Sequence, residues 1–305
     1  MVGSVRLANP VMTASGTAGY GVELGAYGDL SALGAVVTKS LANFAWPGNP
    51  GPRVHSSGSG MLNSVGLAGP GVTAWLEHDL PALVATGARV VASIWGRTLD
   101  EYAAAAQAMA AAPPGVVAIE VNLSCPNLRG KGMFAQSPEA TRSAIAAVAG
   151  VVGRPCWAKL TPAVADVAEV AVAAHEGGAE SVTLVNTLPA LAIDPATRRP
   201  RLGAGSGGLS GPALHAVAVK AVFDVHAAVP GLPIVGVGGV ATGADAAELI
   251  VAGASAVQVG TATFADPRAP WSVLTQLIHW CRRHGAAEVS GLVATAHRRE
   301  QEAGS

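Results

Sequence analysis

Charge is scarce in this chain. Of its 305 residues 13% are charged, and the formal net charge is −1. No basic footprint for nucleic acid or an anionic membrane is present, so a small-molecule site is the default expectation. Cysteine is equally sparse, with three residues at positions 125, 156 and 281, too few for a disulfide framework. The N-terminus, "MVGSVRLANP", has no long apolar h-region of a signal peptide, which points to the cytoplasm. The eight histidines are scattered, giving little support to a metal site or a local Cys/His pair. Mean hydropathy is +0.40, yet Gly, Pro and polar residues break the Ala- and Val-rich segments well short of a membrane-spanning length. A soluble protein is expected.

What the chain has is repetition. Short β-branched runs, "PVMTAS" (10–15), "GAVVTKS" (34–40), "ARVVASIW" (88–95), "VVAIEVN" (116–122), "PCWAKL" (155–160), "ESVTLVN" (180–186), "LPIVGVGG" (232–239) and "SAVQVG" (255–260), read as strands. Between them stand Ala-rich helical stretches such as "TLDEYAAAAQAMAAA" and "GADAAELIVAGA", several opening on Ser, Thr or Asp and closing on Gly. Strands that are apolar throughout are buried on both faces, and about eight βα units in this length predict a closed (β/α)₈ TIM barrel of α/β class rather than an open doubly wound sheet. No linker divides two cores, so residues 1–305 read as one domain. The long connections at 41–87 and 187–210 are functional-loop candidates.

A barrel of this kind carries its site at the C-terminal ends of the strands. Ser15, Lys39, Ser40, Ser93, Asn122, Lys159 and Asn186 each stand at or just past such an end. Singly, each is a strand-end cap or a solvated turn; together they converge. Gly236, Gly238 and Ala241 fit G-x-G-x-x-A, and Gly203, Gly205 and Gly208 fit G-x-G-x-x-G, but the second follows "ATRRPRL", which is no buried strand, and the first lacks its acidic ribose partner. In a barrel, Gly238, Gly239, Gly260 and Thr261 close the last two strands and suit a single phosphate.

Lys39 and Lys159 admit three roles: Schiff-base nucleophile, counter-ion for a reduced cofactor, or exposed strand-end charge. Cys125 lies outside the apolar run, where a thiol can accept a proton if nearby donors favour the thiolate, whereas Cys156 sits inside one and reads as inert. Asn63, Asn122, Asn127 and Asn186 offer paired amides suited to a planar heterocycle.

At this point the motifs "NPVMTASGT", "VTKS", "GNPGPRV", "GMLNSVGL", "VNLSCPN", "AKLTP", "PIVGVGGV" and "VQVGTA" resemble the FMN-dependent dihydroorotate dehydrogenases of class 1, class 1B in particular, from residue 7 to about 284. The resemblance implies an FMN barrel that oxidises dihydroorotate to orotate in pyrimidine synthesis. Cys125 is then the base at C5 while hydride leaves C6 for flavin N5. Asn63, Gly66, Leu67, Asn122, Asn127, Asn186 and Thr187 are implied to bind the pyrimidine, with Lys39 near its carboxylate. Ala14, Ser15, Lys39, Ser40, Ser93 and Asn122 are implied along the flavin, Lys159 at its N1/O2 edge, and Gly211, Gly238, Gly239, Gly260 and Thr261 at its phosphate side. "NLRGKGMFAQSPE" is implied to be a mobile loop over Cys125.

One departure stands out. Where the family has an "ANVAG"-like strand end, this chain has "ASIWG", with Ser93 in place of Asn and Trp95 beside it. A cofactor contact is thereby lost or bridged by water, and Trp95 is expected to pack beneath the ring. As to partners, the resemblance implies a homodimer, joined in class 1B by a subunit carrying FAD and an iron–sulfur cluster, for which this chain has too few cysteines itself; class 1A enzymes are homodimers that use fumarate. The long N-terminal extension that docks class 2 enzymes on membranes is not seen. A related flavoenzyme acting on another 5,6-dihydropyrimidine, a Schiff-base lyase using Lys39 or Lys159, and a non-enzymatic flavin carrier remain as alternatives.

Overall fold

The computed structural model describes residues 1–124 and 132–297. Eight short parallel strands build its main sheet: β1 (Val11–Thr13), β2 (Val36–Val37), β3 (Val90–Ile94), β4 (Val116–Asn122), β5 (Cys156–Lys159), β6 (Ser181–Leu184), β7 (Ile234–Val237) and β8 (Ala256–Val259). Each lies within one of the eight runs predicted from sequence. Strands adjacent in the chain are adjacent in the sheet, apart from β1 and β2. Those two meet through a Met12–Ala35 bridge and a Gly34 N–H bond of 2.8 Å to the Val11 carbonyl, while β8 pairs with β1 from Val257 to Val259. The sheet therefore closes, and the predicted (β/α)₈ barrel is borne out over the open alternative.

Helix starts follow the capping chemistry of the sequence. Thr98, Ser137, Asp166 and Thr242 accept backbone N–H bonds at the openings of Leu99–Met109, Pro138–Val152, Val167–Glu176 and Gly243–Ala252. A side-chain oxygen satisfies first-turn donors that have no intrahelical partner. None of the helices among the described residues is long and apolar enough to cross a membrane.

Because side chains alternate along a strand, each barrel strand sends every second residue inward. Val11, Val36, Ala92, Ile119, Val121, Ala158, Val182 and Val257 pack outward into the large core shared with the helices. Met12, Ala35, Val37, Val91, Ala118, Trp157, Val235 and Ala256 form a separate apolar floor inside the barrel, plugged from below by Val2 and Val5. One step further up the same inward faces the chemistry changes. Ser93, Glu120, Lys159, Thr183 and Gln258 occupy that level, all 5% exposed or less.

The two long connections, expected as loops, instead contribute to a four-stranded antiparallel sheet of Val54–Ser57, Gly60–Asn63, Gly207–Ser210 and Leu188–Ala190. Each connection pairs within itself, and the ladder between Gly60–Asn63 and Gly207–Ser210 joins the two, occupying backbone groups that either hairpin alone would leave open. Arg199–Pro200 pairs only with Ile193–Asp194 and is exposed, so "ATRRPRL" is indeed no buried strand. Beyond residue 285 the described chain makes a 3₁₀ turn at Val289–Leu292 and is helical again at 295–297, and Ala286, Val289, Leu292 and Val293 pack on the core.

Candidate active site

Five of the seven polar residues singled out at the strand ends, all but Lys39 and Lys159, meet in one hydrogen-bonded chain. Ser40 Oγ lies 3.3 Å from Ser15 Oγ and 2.8 Å from Ser93 Oγ. Asn122 Nδ2 donates to Ser40 Oγ at 3.1 Å, and Asn186 Nδ2 donates to Asn122 Oδ1 at 3.1 Å. The Thr187 N–H then donates to Asn186 Oδ1 at 2.7 Å. Side chains from the ends of β1, β2, β3, β4 and β6 are thus linked across the mouth. Ser93 is held by Ser40 within the protein. Trp95 packs edge-on against Phe44 and Trp46, with ring centroids 5.8 and 6.3 Å away, in a side cluster with Ala42 and Leu67.

The small antiparallel sheet adds residues to this mouth. Asn63 pairs in register with Gly208, and its Nδ2 lies 3.5 Å from the Gly208 carbonyl. A Cβ on Gly208 would fall 1.9 Å from Thr187 Oγ1, so only glycine lets Thr187 approach. Asn63 and Thr187 consequently flank the same strand. Gly66 and Leu67 follow Asn63 with φ of +71° and +60°, and a Cβ on Gly66 would strike Asn49. Asn49 in turn donates to Ser64 Oγ at 2.8 Å.

Lys39 stands half-buried near this connection. Burial, and then the nearby Arg53 guanidinium, push its pKa below the ordinary value. Arg53 donates to the Asn49 and Pro47 carbonyls at 2.6 and 2.9 Å. Among the described residues no carboxylate pairs with either cation. Two neighbouring cations without an anion suit a negatively charged ligand.

Below the mouth lies an ion pair that sequence reading only half found. Lys159 Nζ is 3.2 Å from Glu120 Oε1 and 3.1 Å from Gln258 Oε1. Glu120 Oε2 accepts from Gln258 Nε2 at 2.7 Å and Thr183 Oγ1 at 3.1 Å. Lys159 was singled out; Glu120, Thr183 and Gln258 were not. The available signal was a carboxylate in the otherwise apolar run "VVAIEVN". Tyr102, also passed over, donates its hydroxyl to the Asn122 carbonyl at 2.7 Å.

The glycine turns after β7 and β8 border a cavity of about 590 Å³ lined by Gly60, Gly211, Gly239, Val240, Thr261 and Ser272, among others. Gly238 and Gly260 immediately precede its lining residues. Gly211, Gly238 and Gly239 have φ of +88°, +143° and +68°, and a Cβ on Gly239 would sit 2.6 Å from His215 Cβ. The charged residue of the lining, Asp266, is neutralised by Arg268 at 3.0 Å. This cavity adjoins the polar mouth at two points: Thr261 Oγ1 donates to Ser210 Oγ at 2.8 Å, and a Cβ on Gly260 would contact Ala14 Cβ at 3.3 Å. A cradle of glycines and hydroxyls beside this polar barrel mouth fits a phosphate-bearing cofactor.

Cys125 and Asn127 lie outside the described residues, as does the stretch 127–131 of the loop expected over Cys125. The other two thiols are buried. Burial, then Glu180, pushes Cys156 up to about 12, and burial raises Cys281 as well. Both are therefore protonated near neutrality, as expected of Cys156.

Fold and site together define a (β/α)₈ enzyme barrel with its polar residues gathered at the C-terminal mouth. The family model for dihydroorotate dehydrogenase matches residues 1–280. A dihydroorotate dehydrogenase B (NAD(+)) catalytic subunit of Desulforudis audaxviator is 44% identical over 298 residues, 97% of this chain and 96% of the relative. A second such subunit, from Alkaliphilus metalliredigens, is 46% identical over 274 residues, 90% of each chain. A Solibacter usitatus protein named for the A (fumarate) type is 44% identical over 292 residues, 95% of each. The chain belongs to the dihydroorotate dehydrogenase family, which is flavin-dependent, and the resemblance to class 1B read from its motifs is borne out.

Proposed function

We propose that the protein oxidises dihydroorotate to orotate in pyrimidine synthesis with FMN as its cofactor. Carrying this reading is the hydrogen-bonded chain from Ser15 to Thr187, set above a buried Lys159 and beside the glycine-lined cavity. Bound FMN supplies the acceptor for the hydride that leaves C6. The protein does the rest. Cys125 takes the C5 proton, and Asn63, Asn122, Asn127, Asn186 and Thr187 hold the ring through amide and backbone bonds, with Gly66 and Leu67 shaping the rim. Lys39 meets the carboxylate. Ala14, Ser15, Ser40 and Ser93 would pack along the cofactor, Lys159 would offset the negative charge of its reduced form, and Gly211, Gly238, Gly239, Gly260 and Thr261 would hold its phosphate. Residues 1–305 act as one domain in the cytoplasm. In the class 1B assignment it works as a homodimer joined to an FAD and iron–sulfur subunit, making NAD⁺ the final acceptor.

Lys39 and Arg53, which pair with no carboxylate among the described residues, favour a substrate with a carboxylate over a 5,6-dihydropyrimidine without one. The test is direct: purified protein should carry FMN that dihydroorotate bleaches faster than dihydrouracil does. Protein that stays colourless after reconstitution with FMN, or bleaches faster with dihydrouracil, overturns the assignment.

Two smaller effects should accompany it. Alanine at Gly239 must adopt a positive φ against His215, costing about 1–3 kcal/mol, so flavin fluorescence titration should show FMN affinity reduced about tenfold or more. Orotate binding should be pH-dependent, because only protonated Lys39 attracts a carboxylate. Since burial and Arg53 lower its pKa, the Kd for orotate should begin rising below 10.5, the ordinary lysine value. Lys39→Met should flatten that rise; a Kd equally pH-dependent in the variant excludes Lys39 as its source.

A further inference from the structure

The Lys159–Glu120 pair lies across the hollow of the barrel. Glu120, Lys159 and Thr183 come from the adjacent strands β4, β5 and β6, whereas Gln258 comes from β8 on the opposite side. Its amide bridges the two charges in the favourable sense, with Oε1 toward the ammonium and Nε2 toward the carboxylate. The Glu120 carboxylate thereby accepts three bonds, and the ammonium spends two of its three N–H donors. The side chain of Lys159 is 6% exposed and that of Glu120 is 0% exposed.

A buried ammonium with no anion pays a desolvation cost that it escapes by losing its proton. We propose that Glu120, fixed by Gln258 and Thr183, is a positioning residue that keeps Lys159 charged whether the flavin above it is oxidised or reduced. This rests on the reading that a flavin binds at this mouth. Its consequence is a count of protons. With the Lys159–Glu120 pair intact, two electrons would enter the cofactor with one proton, and the remaining negative charge would be met by the ammonium of the pair. Without the carboxylate, Lys159 sheds its proton beside the uncharged oxidised ring and regains one from solvent on reduction, so two electrons bring two protons.

The experiment measures the midpoint potential of the bound flavin against pH, between about pH 6 and 9 so that an ordinary lysine stays charged throughout, in the parent, Glu120→Gln and Glu120→Asp. The expected result is a pH slope in Glu120→Gln twice that of the parent, with FMN content retained and the parental slope restored by Glu120→Asp. A Glu120→Gln protein that binds FMN and keeps both the parental potential and its slope overturns the proposal while leaving the functional reading intact. A parent that takes up no flavin overturns both. Should Glu120→Gln yield no folded protein, the Glu120→Gln/Lys159→Met double variant decides. Recovery of folded, FMN-containing protein means that the carboxylate is required only by the ammonium, as proposed. Continued failure assigns Glu120 to barrel packing and overturns the proposal.

Discussion

Cys125→Ala is expected to lower dihydroorotate turnover by about 10²–10⁴-fold, the usual contribution of a positioned proton acceptor, while FMN content stays at the parental level. Cys125 follows Asn122 by three residues, and Asn122 ends β4 within the hydrogen-bonded chain of the mouth. The remaining thiols cannot substitute. Cys156 lies at the start of β5, packed in the outer core shared with the helices, and with Cys281 its pKa is raised by burial. Only an ionised thiol accepts a proton. Stopped-flow bleaching of the flavin under single turnover isolates the step. Cys125→Ser should retain part of the rate with its pH optimum moved upward, because a hydroxyl ionises far less readily. A Cys125→Ala enzyme as fast as its parent would remove the thiol from the mechanism.

The second large effect falls on stability. Lys159→Met strands the Glu120 carboxylate at 0% exposure, with Thr183 and Gln258 as its remaining donors. Removing one partner of a buried pair costs about 3–5 kcal/mol, because the surviving charge stays desolvated. Urea unfolding should show a midpoint lowered accordingly. Adding Glu120→Gln should recover much of that loss, since no charge is then buried, but it should leave reduction by dihydroorotate slow. A single variant as stable as the parent would mean that the pair contributes nothing to folding.

These expectations draw on residues that differ in how legible they were. Ser15, Ser40, Ser93, Asn122 and Asn186 could be found from sequence because a polar residue closing an apolar run is a local signal, and a barrel brings strand ends to one face. The glycine turns after β7 and β8 were legible for the same reason. Glu120 and Gln258 stand inside their runs and were read as strand. Their partnership spans 138 positions along the chain, and no local pattern encodes it.

The sequence by itself determined the eight strands, the capped helices between them, the closure into a barrel and the motifs of the dihydroorotate dehydrogenase family. All of these follow from periodicity, capping and short contiguous signatures, which act over a few residues. Tertiary structure alone decided that the connections at 41–87 and 187–210 join in one sheet, bringing Asn63 beside Thr187. It alone decided that the polar level above the apolar floor is a closed Glu120, Lys159, Thr183 and Gln258 network. Both depend on register between segments far apart in the chain, where a shift of one residue would turn each side chain to the other face.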